Sequence, residues 1–306
     1  MLCEPMHRTL VFLIIQPFLI SSCSYEEDSR DRAFALDDNL FNEAIPVILL
    51  KKDSRTLAEA SGLAISRENR GRFWTHNDSG DGPYIYLFDG NGEVEATVTL
   101  DGVEARDWEE ISTQVTDSVS YLYIGDIGDN DGSRDSIMIH RIKEPKVGDK
   151  TKITISKDTI ETMVIQYAEG ARDAESLFYD SIDDNLVLIT KREQDVLVYE
   201  FQFKDIDTPV AITSKGSIPM RNITSADVLP GGDILLKNYD NVFYWKRKNK
   251  AAYITLLEGV PFRIPYVKEP QGEAICTDEA GNFYTVSERS NHARQEVFFY
   301  ERKLAF

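Results

Sequence analysis

The sequence predicts an all-β fold, a β-propeller of four-stranded blades, and three observations predict it. Helical periodicity is scarce after residue 45, where short runs rich in Val, Ile, Tyr and Phe alternate with Gly, Asn and Asp turns. Five segments share one form: an acidic or small residue with an apolar pair, a turn, a second apolar run ending on a polar residue, then an aromatic third run. The key apolar position of each segment falls at Leu63, Ile111, Leu177, Val228 and Ile275, with spacings of 48, 66, 51 and 47 residues. Each interval has room for a four-stranded antiparallel sheet, and radial repetition of such sheets leaves only short, protected edges. A two-sheet sandwich would not explain the repeated motif.

The first unit reads as strands at 59–65, 73–78 and 84–89, the second at 107–111, 121–126 and 137–141. The third takes 173–177, 186–191 and 196–200, and the fourth 224–228, 234–238 and 242–245. The fifth takes 272–275, 283–288 and 297–300 and runs out with three strands. Fourth strands are expected at Glu95–Leu100, Thr162–Tyr167, Ala211–Ile218 and Ala252–Leu257. The run Ile45–Leu50, ahead of the first unit, supplies the missing strand of the fifth and closes the ring. Five blades is the count, with six as the alternative if the long second unit hides further strands.

Residues 10–20 form a short apolar run, about half the ~20 residues a transmembrane helix needs, and Pro17 interrupts it. With His7 and Arg8 before it, the run reads as a signal-peptide core. Ile20-Ser21-Ser22-Cys23 follows and resembles a bacterial lipobox, in which the cysteine is lipidated and becomes the new N-terminus. The expected organisation is a signal peptide over 1–22, a lipid-attached tether over 23–44 with Cys23 as the lipidation site, and a single propeller over 45–306. Charged residues 25–32 suit a solvated tether. The expected location is the bacterial cell envelope, exported and held to the membrane through the N-terminal lipid alone. Cleavage and lipidation leave Cys276 as the last free thiol, so no intrachain disulfide forms, and its apolar setting suits a buried, inert side chain.

In a propeller blade the start of the innermost strand and the end of the second lie on one face, near the axis. First-strand starts carry Glu59, Asp107, Glu109, Glu110, Asp173, Glu175, Asp227 and Glu273; second-strand ends carry Asn77, Asp78, Asp126, Lys191, Arg192, Asn238, Tyr239, Ser287 and Glu288. Like charges crowded there must be protonated, paired or metal-bound. Hard cations such as Ca²⁺ take six to eight oxygen ligands, which makes Ca²⁺ the candidate cofactor. The expected ligand-binding set is Glu59, Asn77, Asp78, Glu109, Asp126, Glu175, Asp227, Glu273 and Glu288. Lys191 and Arg192 are the local counter-charges, and with Glu175 they are the catalytic candidates should the site turn over a substrate. The loop Gly125–Gly132 offers Asp126, Asp129 and Asn130 as metal ligands, without the terminal Glu and flanking helices of an EF-hand.

The chain carries 34 Lys+Arg against 52 Asp+Glu, a net charge of −18, which argues against nucleic acid as a partner. Catalytic patterns are thin. No Gly-x-Ser-x-Gly elbow, His-Glu-x-x-His or Walker loop is present, and His76, His140 and His292 are the histidines left after cleavage.

The motifs Ala60-Ser-Gly-Leu-Ala, Trp74-Thr-His-Asn-Asp-Ser-Gly, Asp107-Trp-Glu-Glu-Ile, Gly125-Asp-Ile-Gly-Asp-Asn, Asp173-Ala-Glu-Ser-Leu and Gln271-Gly-Glu-Ala-Ile resemble those of bacterial secreted β-propellers. The likeness covers roughly residues 55–306. It is to propeller lipoproteins of unassigned activity and, more distantly, to the SdiA-regulated propeller domain and the esterase-like domain of phytase-type proteins. The resemblance implies a propeller in the envelope or outside the cell. It also implies metal, usually Ca²⁺, at the channel mouth of those members that act as lactonases or phytases, though no full ligand set carries over residue by residue. The expected function is therefore binding of a small molecule, an envelope protein or an ion at an acidic channel mouth. A Ca²⁺-dependent hydrolase of esterase, lactonase or phosphatase type is the alternative.

Overall fold

The computed structural model describes residues 28–50, 57–116, 119–204, 206, 208–289 and 295–303, and they form a five-bladed propeller. Blade 1 holds β2 (Ala60–Ile65), β3 (Arg72–Asn77), β4 (Tyr84–Asp89) and β5 (Val94–Leu100). Blade 2 holds β6 (Trp108–Val115), β7 (Ser120–Asp126), β8 (Ile137–Lys143) and β10 (Glu161–Tyr167). Blade 3 is β11 (Ala174–Asp180), β12 (Asn185–Thr190), β13 (Val196–Phe201) and β15 (Gly216–Ile218). Blade 4 is β16 (Ile223–Val228), β17 (Ile234–Asn238), β18 (Val242–Trp245) and β19 (Phe262–Ile264). Blade 5 is β20 (Gly272–Thr277), β21 (Phe283–Ser287) and β22 (Glu296–Tyr300), completed by β1 (Ile45–Leu49). β1 runs antiparallel to β22 with Ile45 opposite Phe299, so the strand preceding blade 1 closes the ring as the sequence predicts.

Three expectations need correction. The long second unit builds no sixth blade: β9 (Lys152–Ile155) joins blade 1 as a fifth strand, parallel to β5. The stretch 211–218 is not one strand. β14 (Val210–Ile212) pairs parallel to β10 of blade 2, and only β15 completes blade 3. Ala252–Leu257 lies in a helix, α1 (Ala252–Glu258), which packs Ala252 and Leu256 onto the core between blades 3 and 4. The fourth strand of that blade is the short β19 that follows.

Each blade is covered on both faces by its neighbours, so its strands are apolar on both faces rather than alternating. In β12, Val187 and Ile189 pack toward blade 4 while Leu186 and Leu188 pack toward blade 2. The buried apolar residues accordingly fall into five clusters, one per blade interface. Phe41, in the segment before β1, is fully buried in the cluster between blades 4 and 5. Cys276 is buried in that between blades 5 and 1, and burial pushes its thiol well above the ordinary range, which fits an inert side chain. None of the described helices is long and apolar enough to cross a membrane. Cys3, Cys23 and His292 lie outside the described residues.

Candidate functional site: the acidic channel mouth

One irregularity recurs in every blade and builds the site. The pairing of the innermost strand with the second shifts register near its start: between Ala60 and Leu63, Trp108 and Glu110, Ala174 and Ser176, Ile223 and Ser225, Gly272 and Ala274. Such bulges leave one residue unpaired and re-aim its side chain. The residues so placed are Ser61, Glu109, Glu175, Thr224 and Glu273. The two hydroxyls bond backbone of the next blade, Ser61 Oγ to the Glu109 carbonyl at 3.0 Å and Thr224 Oγ1 to the Gly272 carbonyl at 3.1 Å. The three glutamates are buried at the mouth.

Acids from the blade rims join them. Carboxylate oxygens of Glu109, Asp173 and Glu175, all buried, lie within 4.8 Å of one another, and so do those of Asp78, Asp107 and Glu109. Glu109 belongs to both groups, and no donor from the described residues reaches its carboxylate. Gly128 makes this crowding geometrically feasible: a Cβ there would sit 2.2 Å from Glu109 Oε1 and 2.5 Å from Asp107 Oδ2. Lys191 enters from the end of β12 and pairs with Glu175, its ammonium also lying 5.2 Å from the centre of the Tyr239 ring. Arg192 pairs with Asp173 and donates to Asn130 Oδ1.

The electrostatics follow from burial. Desolvation, then the charge of Glu175, holds the Glu109 carboxyl well above the usual range. Desolvation and the charges of Asp78 and Asp173 push Asp107 to about 7. Desolvation and the charge of Glu273 push Glu288 to about 8. Burial opposes the charge on Lys191, but Glu175 and Glu273 outweigh it and raise its pKa well above the ordinary value. The mouth thus holds more carboxylates than its cations neutralise, and carboxylates so placed are stable only when protonated or metal-bound.

Below the mouth a polar contact crosses the channel. Glu110 of β6 reaches across to Ser225 of β16, and Ser225 Oγ accepts the Ile275 amide at 3.1 Å. The mouth is a bowl with a polar floor.

The structure assembles most of the expected set and displaces part of it. Glu109, Glu175, Glu273, Asp78 and Glu288 converge on the bowl, and Glu59 stands exposed at its rim. Asn77 serves the turn beside it, donating to Asp81 at 2.7 Å and accepting the Glu59 amide at 3.2 Å. Asp227 is not at the mouth. Ala226, not Val228, occupies the key apolar position, because Thr224 stands where the other units carry an acid or Ser61. Asp227 therefore points to the far end of the channel, where it accepts the Thr277 amide at 2.7 Å and lines a cavity of about 210 Å³ with Arg67 and Cys276. The loop ligands are also otherwise engaged. Asp126 is paired with buried Arg134 at 2.7 Å and accepts the Arg106 and Asp107 amides at 3.0 and 3.2 Å. Asp129 accepts the amides of Ser133 and Arg134, both at 2.9 Å. The loop is closed by its own amides and an arginine, as its turn chemistry allows.

Asp107 and Asp173 are visible in the sequence as first-strand starts, and their part in the carboxylate cluster needed the fold to show it. Glu110 is legible as a first-strand start, but its reach to Ser225 is not, and Gly128 carries no signal of its own. His76 and His140 are buried, bonded to the Asn77 carbonyl and Thr162 Oγ1, each at 2.9 Å. Burial lowers both, His140 to about 4, so both are neutral imidazoles.

No protein-family model matches the chain, and no curated protein does. Among solved structures it is similar to a gluconolactonase from Xanthomonas campestris, at 9% identity and a TM-score of 0.49 over 88% of each chain. It is also similar to the glutaminyl cyclase of Myxococcus xanthus, at 11% identity and a TM-score of 0.45 over 86% of this chain and 96% of that one. The WD40 propeller domain of Doa1 aligns at 10% identity and a TM-score of 0.43, over 84% of this chain and 97% of that one.

Proposed function

We propose that this chain is an exported propeller, anchored through Cys23 to a bacterial envelope membrane, whose acidic mouth binds a hard divalent cation and, with it, a small-molecule or protein ligand. Ca²⁺ is the ion the donor set suits, since carboxylate and carbonyl oxygens are its preferred ligands. The observation that carries the reading is the buried triplet Glu109, Asp173 and Glu175, with mutually close oxygens and one member lacking any donor from the described residues. Carboxylates packed in this way are stable only when protonated, paired or metal-bound, and Lys191 and Arg192 supply two of the charges needed. A bound Ca²⁺ would supply the rest, and positive charge with which to polarise a carbonyl or phosphoryl oxygen.

A second reading, a Ca²⁺-dependent hydrolase, rests on a separate observation. Asp107 and Glu288, with pKa values of about 7 and 8, are poised to exchange protons at neutral pH beside the cluster. In that reading Lys191 or Arg192 holds an anionic group and Glu175 is the base.

Calorimetric titration of Ca²⁺ into the chain from residue 24 onward, which contains every strand described, tests the binding reading. Saturable heat is expected, lost in Glu109→Gln, while Asp227→Asn at the far end leaves it unchanged. Absence of heat at neutral pH, with no shift in melting temperature, would sink it. Ester, lactone and phosphate substrates assayed with and without Ca²⁺ then separate binding from hydrolysis.

A further inference from the structure

We infer that the propeller stands with its acidic mouth turned toward the membrane that holds its lipid; this rests on the lipid-anchor reading of Cys23. The inference comes from how the described N-terminal residues meet the ring. Arg30 donates to the Gln194 carbonyl and to Asp195 Oδ1, both at 2.7 Å. Those residues belong to the loop that begins with Lys191 and Arg192, on the mouth side of blade 3. Asp31 is fully buried, and its carboxylate accepts the Asn238 amide group at 2.6 Å. Asn238 ends β17 on the same side of blade 4, next to Tyr239. The chain therefore joins the body at the mouth-side rim between blades 3 and 4, and a buried charge–amide contact fixes it there. Asp28 is pinned by Arg30, at 2.8 Å.

Chain geometry converts this into an orientation. Four residues, 24–27, lie between Cys23 and Asp28, so the lipidated residue is within about 18 Å of the rim even at full extension. A seven-residue strand such as β11, which runs from mouth to far end, spans about 23 Å. With its far end seated on the bilayer, the rim would stand farther from the lipid than the tether reaches. The far-end turns, Ser181 among them, therefore cannot be the part seated on the bilayer, and the mouth-side rim between blades 3 and 4 is the part held nearest the lipid. The kind of partner this fits is a molecule in or on that membrane.

The test uses the full lipidated chain in vesicles of phosphatidylethanolamine and phosphatidylglycerol carrying an acceptor-labelled headgroup. A donor dye is placed by Asp131→Cys, an exposed position on the mouth side, or by Ser181→Cys, exposed at the far end; Cys276 is buried and stays unlabelled. Energy transfer to the lipid is expected to be several-fold greater from position 131 than from 181. A flexible Gly/Ser insert of about twenty residues after Ser24, with reach beyond a strand length, should erase the difference. Equal transfer from both positions without the insert, or greater transfer from 181, overturns the orientation. A Cys23 that mass spectrometry shows unmodified, in a chain that leaves the vesicles, overturns the anchor itself and the orientation with it. Loss of Ca²⁺ binding bears on neither.

Discussion

Glu175 and Lys191, opposite each other at the mouth end of the first hairpin of blade 3, form an ion pair with side chains only 6% and 7% exposed. The pair is set by a bulge on one strand and the last turn of the other, and it is where the carboxylates of blades 2 and 3 meet a cation. Removing one partner of a buried pair costs about 3–5 kcal/mol, because the remaining charges lose their compensation. Lys191→Met should therefore lower the stability of metal-free protein by about that amount in urea titrations at pH 7. It should also tighten Ca²⁺ binding, since a competing cation is gone. Unchanged stability would mean the acids are already neutral.

The raised carboxyls give stability a pH dependence with a definite sign. Asp107 and Glu288 have pKa values of about 7 and 8 in the folded chain, above their ordinary 3.8 and 4.5. Between those limits the folded state binds more protons than the unfolded state, so stability falls as pH rises. Urea midpoints in chelator should drop from pH 5 to pH 8, and added Ca²⁺ should flatten the drop. Ca²⁺ affinity should rise over the same window. A midpoint that climbs with pH in chelator would contradict the assignment.

Gly62 tests the inner ring. A Cβ there would lie 2.5 Å from the Ile111 amide nitrogen and 2.6 Å from His76 Nε2, so β2 and β6 could not keep their approach. Overpacking that must move backbone costs about 1–3 kcal/mol, sometimes more. Gly62→Ala should fall at the upper end of that range by thermal or urea unfolding, whereas Gly71→Ala, in open space at a turn, should show only the smaller strain of its positive φ.

Arg134 closes the 127–136 loop, bonding Asp126 and the Gly128 carbonyl, each at 2.7 Å. Arg134→Met should leave the Asp126 charge buried and unpaired, at a cost of about 3–5 kcal/mol. Because Gly128 lies against Glu109 and Asp107, Ca²⁺ affinity should fall as well. Limited proteolysis would report new cleavage within the loop.

How much of this was legible in the sequence differs by element. Blades 1, 2, 3 and 5 announce themselves because Leu63, Ile111, Leu177 and Ile275 are large aliphatics behind a polar strand start. Blade 4 carries Thr224 and Ala226 at those places, and the acid at Asp227 shifts the apparent repeat two residues out of register. Its second strand, β17, holds the expected polar end at Asn238, the signal that would have corrected it. The helix at Ala252–Glu258 reads as a strand because seven residues give fewer than two turns of periodicity, and Tyr253, Ile254 and Thr255 suit either form. The partners of β9 and β14 were invisible, since parallel pairing to a neighbouring edge leaves no local pattern. At the site, the residue types were readable and their convergence was not. Which glutamates turn inward depends on the bulge register, and whether Asp126 is a ligand depends on Arg134, eight residues away.

A cation among Glu109, Asp173 and Glu175 is what the proposed function requires. A crystal grown at neutral pH with Ca²⁺, and measured at a wavelength where calcium scatters anomalously, locates it directly. The prediction is one peak at the bowl, about 2.3–2.6 Å from oxygens of at least three of the cluster carboxylates. A bowl without a peak, or a peak at the Asp126–Asn130 loop alone, would contradict it.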